Sequence, residues 1–128
     1  MKIKSYPLTI CKIEDDEDVV FIEYCQNLKI DLSSANEIVA NRLEFMGDKK
    51  HYAIMDATNV KSISKEARAY LLDPSGGTKN ILGCAIIASN PVASLLANIM
   101  IKSTKTFPSK FFHKKSDAIK WILELKEK

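Results

Sequence analysis

Few residues in this sequence are suited to catalysis or ligand contact, and Asp56 is the leading candidate. It ends the apolar segment 52–55, at the kind of strand end where α/β sheets place their ligands. A general base needs a partner group within reach, and no acid, histidine or nucleophile lies beside Asp56 in the sequence. We therefore expect its carboxylate to accept a hydrogen bond from the backbone amide of Thr58 or Asn59 in a turn. The sequence predicts no catalytic residues, and we expect no enzymatic activity.

The spacing of the metal-ligating residue types does not favour a metal site either. His51 and His113 are isolated, with no Cys, Asp or Glu at the intervals that metal sites use. The run Glu14–Asp18 holds five consecutive carboxylates but lacks the glycine with which calcium loops turn. We expect a solvated turn there. The sequence predicts neither a metal ion nor a cofactor.

The three cysteines are expected to be reduced and structural. Cys11, Cys25 and Cys84 show no Cys-x-x-Cys spacing, and an odd number cannot form a complete disulfide framework. Each lies in an apolar, strand-like segment, where a free thiol packs as a small hydrophobic group.

Two segments carry features of anion-binding sequences. Residues 73–80 contain two glycines beside a lysine, whose backbone amides could cradle an anion. They lack the spacing of a phosphate loop, so we expect a mobile connector. Lysines and phenylalanines alternate over 102–115, as in single-stranded nucleic-acid or anionic-lipid surfaces. We expect these lysines to form the solvated edge of a strand and predict no nucleic-acid partner.

The composition indicates one globular domain that covers residues 1–128. Nineteen basic against sixteen acidic residues give a net charge of +3, too weak to indicate a nucleic-acid partner. No apolar run approaches the roughly 20 residues that a membrane-spanning helix needs. Residues 1–7 lack the apolar stretch of a signal peptide. We expect no integral membrane association and a cytoplasmic location.

Hydrophobic periodicity and capping residues predict strands that alternate with helices. Segments 6–13 and 19–25 are predicted to form an antiparallel hairpin around the acidic run, and 81–88 is apolar throughout, as in a central strand covered on both faces. The predicted order is β-β-α-β-α-β-α-β-α, which indicates an α/β fold with a mixed sheet and a mainly parallel centre. The first predicted helix opens at residues 32–34 and stops at Gly47, and the others cover 64–72, 91–102 and 117–125. Their capping residues are Ser33 or Ser34, Ser64, Asn90 and Ser116.

The helix predicted over 91–102 is apolar on nearly every side. Val92, Leu95 and Ile99 share one face, and Ile101 lies almost opposite Val92. A helix that is apolar all round is either deeply buried or shared with a partner. We therefore expect a homodimer contact or a partner groove that includes Met100 or Ile101. The residues expected to be largely buried are Leu43, Ile54, Ile86, Ile87, Leu95 and Trp121.

Three segments carry a resemblance to a known family. They are Ala53–Ala57, a strand ending in an acidic residue; Ile86–Asn90, a central strand running into a helix; and Phe111-Phe112 followed by Asp117–Ile122, an aromatic strand before a helix with Ala-x-x-Trp. With the element order, they resemble the STAS domain of bacterial anti-sigma-factor antagonists. The resemblance is strongest to the small stand-alone SpoIIAA-like group, which is related to Sec14-type lipid-binding domains.

The resemblance implies candidate regulatory serines. In STAS antagonists a phosphorylated serine lies in an Asp-Ser-Ser-Gly-type turn before the helix that follows the third strand, and Ser64 falls at that position. The acidic residue and the glycines of the family turn are absent here, where Ser62 and Lys65 stand. Ser64 and Ser62 are thus the candidate phosphorylation sites that the resemblance implies.

The expected function is a non-enzymatic cytoplasmic module that binds a protein partner in regulation or signalling. The alternative is a small-molecule or lipid-binding domain of the Sec14-related type, with an apolar pocket between the sheet and the later helices. Asp56, Met100 and Ile101 are the candidate contact residues for such a partner or ligand.

Overall fold

Eight strands and four helices are arranged around one main sheet. The computed structural model describes residues 1–128, the whole chain. Its strands are β1 (Lys2–Ser5), β2 (Thr9–Ile13), β3 (Val19–Tyr24), β4 (Leu28–Ile30), β5 (His51–Asp56), β6 (Val60–Ile63), β7 (Ile81–Ile87) and β8 (Ser109–Phe112). Its helices are α1 (Leu32–Met46), α2 (Lys65–Leu72), α3 (Pro91–Ser103) and α4 (Lys115–Lys126).

The main sheet has six strands in the order β1-β2-β3-β5-β7-β8. Strands β1, β2 and β3 pair antiparallel, whereas β3, β5, β7 and β8 pair in parallel. Parallel neighbours need long crossover connections, and α1, α2 and α3 lie in these crossovers. Strands β4 and β6 form a second, two-stranded parallel sheet. The main sheet is the mixed α/β sheet with an N-terminal hairpin that the sequence predicts.

Helices cover both faces of the main sheet. Val20 and Ile22 of β3 pack in one cluster with Phe45 of α1, whereas Phe21, between them in sequence, packs on the opposite face with Ile122 of α4. This alternation follows from the two-residue period of a strand. Because both faces are covered, β5 and β7 are apolar along most of their length, as predicted for the centre of a parallel sheet.

Three strands and two helix caps differ from the sequence-based predictions. Strands β1, β4 and β6 were not predicted, because β1 is exposed along its whole length and the other two are only three and four residues long. The cap of α1 is Asp31, whose Oδ1 accepts from the Ser34 amide at 2.8 Å, so Ser33 and Ser34 lie inside the helix. Helix α4 begins one residue before Ser116 and has no side-chain cap.

The predicted core is only partly correct. Ile54 and Ile87 are buried, but Leu43, Ile86 and Trp121 are half-buried. Leu95 was wrongly placed, since it is 63% exposed. Helix α3 contacts the sheet through alanines rather than leucines, so its large outward side chains remain at the surface.

Two neighbouring residues of α4 test this packing. Ile122 is fully buried and Leu123 is 42% exposed. We expect Ile122→Ala to lower the free energy of unfolding by about 2–5 kcal/mol, because it leaves a cavity under the helix. Leu123→Ala, the matched control, should cost no more than about 0.5 kcal/mol. Urea denaturation measures both values, and equal losses would contradict the placement of α4.

Candidate ligand-binding site

An apolar pocket lies between the main sheet and helices α1 and α3. Its cavity volume is about 100 Å³, and it is partly open to solvent. Eighteen of its 23 lining residues are hydrophobic, so the walls favour an apolar occupant over water. Side chains from the sheet, the helices and the segment before β8 share the lining, among them Ile22, Val39, Met55, Ile86, Met100 and Phe107.

The pocket lies between the main sheet and a layer that consists of α1, α2, α3 and the two-stranded sheet. The small side chains of Ala93 and Ala97 are buried against Ile86 and Phe111, which brings α3 onto β7 and β8. Helix α2 packs on the two-stranded sheet and on α1 through the buried Ala67, and Leu96 of α3 packs against the same cluster. The pocket is the space that remains between these helices, the two-stranded sheet and the main sheet.

Arg42 of α1 is the one charged residue among those that line the pocket. Its side chain is buried, with 2% of its surface exposed. Nη1 donates to His51 Nε2 at 2.8 Å and to the Lys79 carbonyl at 3.0 Å, and Nη2 donates to the Gly77 carbonyl at 3.1 Å. All three acceptors are neutral, and no carboxylate forms a salt bridge with Arg42. Burial lowers the pKa of the guanidinium.

His51 is held as a neutral ring by its two hydrogen bonds. Its Nε2 accepts from Arg42, and its Nδ1 donates to the Lys49 carbonyl at 3.0 Å. Burial is the main cause that lowers the pKa of His51 to about 4, and the charges of Arg42 and Lys49 act in the same direction. The ring therefore acts as an acceptor for Arg42 and is not available to a metal.

The glycine-containing segment before β7 is packed and is not the mobile connector that the sequence suggests. Gly76 and Gly77 are buried, and the Gly77 amide donates to the Tyr70 carbonyl at 3.0 Å. A Cβ on Gly77 would lie 2.0 Å from the Leu71 carbonyl oxygen, so glycine is required there. The segment presents the carbonyls of Gly77 and Lys79 to a cation, Arg42, rather than amides to an anion.

Other polar groups near the pocket are uncharged. Burial raises the pKa of Cys11 to about 11 and that of Cys84 to about 12, and it also raises the pKa of Tyr24. Tyr24 and Cys84 line the pocket. All three cysteines are free, as the sequence predicts. For the two buried thiols, desolvation raises the pKa by more than the charge of Arg42 lowers it, so they are not reactive thiolates.

The candidate residues named from the sequence do not form one site. Asp56 Oδ1 accepts from the Thr58 amide at 3.1 Å, the predicted turn. Ser64 Oγ accepts from the Ala67 amide at 3.1 Å and caps α2 as predicted, while Ser62 is exposed on β6. Met100 lines the pocket. Ile101 is half-buried beside it in α3.

The acidic run is more than a solvated turn. Glu14 pairs with Lys115 at 2.9 Å, and Asp16 pairs with Lys126. Hydrogen bonds from these lysines lower the pKa of Glu14 and of Asp16. The run thus contacts both ends of α4. No group of three or more His, Cys, Asp or Glu side chains is placed to hold a metal ion.

The aromatic residues of the lysine-rich segment face inward. Phe107 lines the pocket, Phe111 packs on the alanines of α3, and Phe112 contacts Trp121 with ring centroids 5.8 Å apart. They therefore do not form a stacking surface for nucleotide bases. None of the four helices has the length and apolar character needed to cross a membrane.

Arg42 and His51 are the site residues that the sequence analysis did not select. Arg42 shares one helical stripe with the apolar Ile38 and Phe45, and all three are buried. A charged residue in such a stripe is a usable signal, because buried charges need specific partners. Two of the three acceptors that hold it are backbone carbonyls, which leave no mark in the sequence.

Comparisons with known proteins agree with this fold. A family model described as a domain of unknown function, DUF7793, matches residues 11–126. The chain is similar to the solved structure of an uncharacterized DUF3478-family protein with a SpoIIAA-like fold from Shewanella loihica PV-4. The TM-score is 0.64 and the sequence identity is 20%, and the match covers 93% of this chain and 98% of that chain. No curated protein matches significantly. The SpoIIAA-like fold expected from the sequence is confirmed.

The neutral His51 predicts a loss of stability in mild acid. Its pKa is about 4 in the folded chain and about 6.5 when unfolded, so the stability that it contributes is complete above pH 6.5 and falls as the pH drops towards 4. Between pH 7 and pH 5 we expect the free energy of unfolding to fall by about 1–2 kcal/mol, measured by urea denaturation.

The second histidine provides the control. His113 is exposed, so His113→Gln should keep the full pH dependence, whereas His51→Gln should remove most of it. The assignment is wrong if both variants lose stability between these pH values as the unmodified protein does.

Proposed function

The chain belongs to the DUF7793 family, and we propose that it is a non-enzymatic binding domain that takes a small apolar molecule into the pocket between the main sheet and helices α1 and α3. This is the small-molecule alternative of the sequence analysis. The family description names no ligand, so the proposal rests on the geometry of this chain.

The observation that carries the proposal is the composition of the pocket walls. Concave pockets with mostly apolar walls and a few convergent polar groups are the usual form of small-molecule sites. Here eighteen of 23 lining residues are hydrophobic and one is charged. Replacing water by an apolar group against such walls is favourable by roughly 25 cal/mol for each Å² of apolar surface removed from water.

The states of Asp56 and of the two buried thiols favour binding over catalysis. The Asp56 carboxylate accepts from the backbone of its own turn, and the thiols of Cys11 and Cys84 have pKa values raised to about 11 and 12. Neither thiol is a nucleophile at neutral pH, because the reactive form of cysteine is the thiolate.

Two positions of α3 test the pocket. Met100 is half-buried and lines it, whereas Leu95 is 63% exposed. We expect Met100→Trp to fill the pocket and to weaken binding of an apolar naphthylamine dye at least tenfold, measured by fluorescence titration. Leu95→Trp, the same change on the outer face, should leave dye affinity within twofold. Equal affinities in the two variants, or no dye binding to the unmodified protein, would contradict the proposal.

A second candidate function, binding of a protein partner, is favoured by the outer face of α3. Val92 and Leu95 are 54% and 63% exposed, and they lie three residues apart on one side of the helix. Large apolar side chains exposed together are characteristic of interaction sites. The occupant that we propose is a second copy of this chain, through Val92 and Leu95 rather than through Met100 or Ile101, the residues expected from the sequence.

Because the chain resembles STAS antagonists, Ser64 is the position at which we propose that partner binding is regulated. A phosphate there would add about −1.5 to −2 charge at the start of α2, between the exposed Lys61 and Lys65. The Ser64 hydroxyl is the cap of α2, so phosphorylation would act at the helix terminus.

Sedimentation equilibrium at high protein concentration tests the homodimer. We expect the unmodified protein to dimerise and Leu95→Glu to be monomeric, because burying an unpaired carboxylate in an apolar contact is costly. Leu123→Glu, on the exposed side of α4, should dimerise as the unmodified protein does. A monomeric unmodified protein would refute this second candidate.

A further inference from the structure

We propose that the ligand of the pocket is an anion with a short alkyl chain, of the medium-chain carboxylate class, and that Arg42 binds its head group. This inference rests on the proposed small-molecule function and names the class of molecule that would fill the same pocket.

Arg42 carries a buried positive charge that no carboxylate of the protein neutralises. A guanidinium stays protonated in proteins, and buried charges are normally paired with an opposite charge or a metal. Arg42 is 2% exposed, and its three hydrogen bonds go to neutral acceptors. A bound carboxylate would supply the negative charge that the protein itself does not place beside it.

The guanidinium of Arg42 keeps hydrogen-bonding capacity beyond its three bonds. The three bonds of Arg42 use Nη1 and Nη2 and none uses the Nε–H group. These bonds also fix the position of the planar guanidinium group. A guanidinium that is already fixed loses little conformational freedom when it binds a carboxylate. Tyr24 lines the same pocket, and burial keeps its hydroxyl protonated by raising its pKa. A phenol in that state can donate to an anion.

Apart from Arg42, the wall of the pocket is uncharged and mostly apolar. No other charged residue lines the pocket, and eighteen of the 23 lining residues are hydrophobic. This arrangement matches a molecule with one anionic end and an otherwise apolar body.

The volume limits the length of that body. A cavity of about 100 Å³ is smaller than an apolar cavity of about 150 Å³ that accepts benzene, so it encloses only a few methylene groups. Because the pocket is partly open to solvent, the end of a longer chain can extend through the opening, and octanoate, with eight carbons, is the probe of choice.

Three ligands with eight-carbon chains, the carboxyl carbon of octanoate included, separate charge from apolar binding. Isothermal titration calorimetry at neutral pH compares octanoate, octanol and octyltrimethylammonium on the full chain. We expect octanoate to bind at least tenfold more tightly than octanol, and the cation to bind more weakly than octanol. If octanoate and octanol bind equally, the head-group inference is overturned while the proposed apolar pocket stands. If none of the three binds, the proposed function fails as well.

Variants of the two arginines assign the preference to a residue. Arg42→Lys keeps a positive charge and should retain a preference for octanoate over octanol, whereas Arg42→Gln should abolish it. Arg68→Gln makes the same change in net charge at a residue outside the pocket lining and should bind as the unmodified protein does. Circular dichroism verifies that each variant is folded. A folded Arg42→Gln protein that still prefers octanoate tenfold would overturn the assignment, and the ligand comparison on the unmodified protein remains decisive if that variant does not fold.

Discussion

The buried guanidinium of Arg42 is the constraint on which the α1 side of this domain depends. A charge removed from water must find acceptors in fixed positions, and those of Arg42 come from the start of β5 and from the segment before β7. One side chain therefore joins α1 to two separate parts of the chain. The segment before β7 can present its carbonyls only because Gly77 lies directly against the backbone of Leu71, where any Cβ would collide.

The same region contains the pocket because the side chains on α3 are unequal in size. Ala93 and Ala97 bring the helix onto the sheet, and Met100 extends from it into the pocket wall. Leu95 and Val92 point to solvent. One helix thus supplies a close contact, part of a binding wall and an exposed apolar face, and this division explains why its sequence is apolar on nearly every side.

The opposite face of the sheet is held by other means. Ile122 and Ala118 of α4 are fully buried against the sheet, and burial of this kind dominates the energetics of packing. The ion pairs from α4 to Glu14 and Asp16 are partly exposed, and pairs of this kind contribute at most about 1 kcal/mol each. Their effect is to fix where the acidic turn lies along the helix.

The sequence by itself determined the fold class, the parallel centre of the sheet, all four helices, and the caps at Ser64 and Asn90. These follow from local periodicity and from side chains that bond to amides two or three residues away. The tertiary structure decided the rest: the pairing of β1, β4 and β6, the exposure of Leu95, and the partners of Arg42. Strand pairing and two of the three acceptors of Arg42 depend on backbone groups brought together from distant parts of the chain. Backbone carbonyls are the same in every residue type, so no pattern of side chains could reveal which of them meet a buried charge.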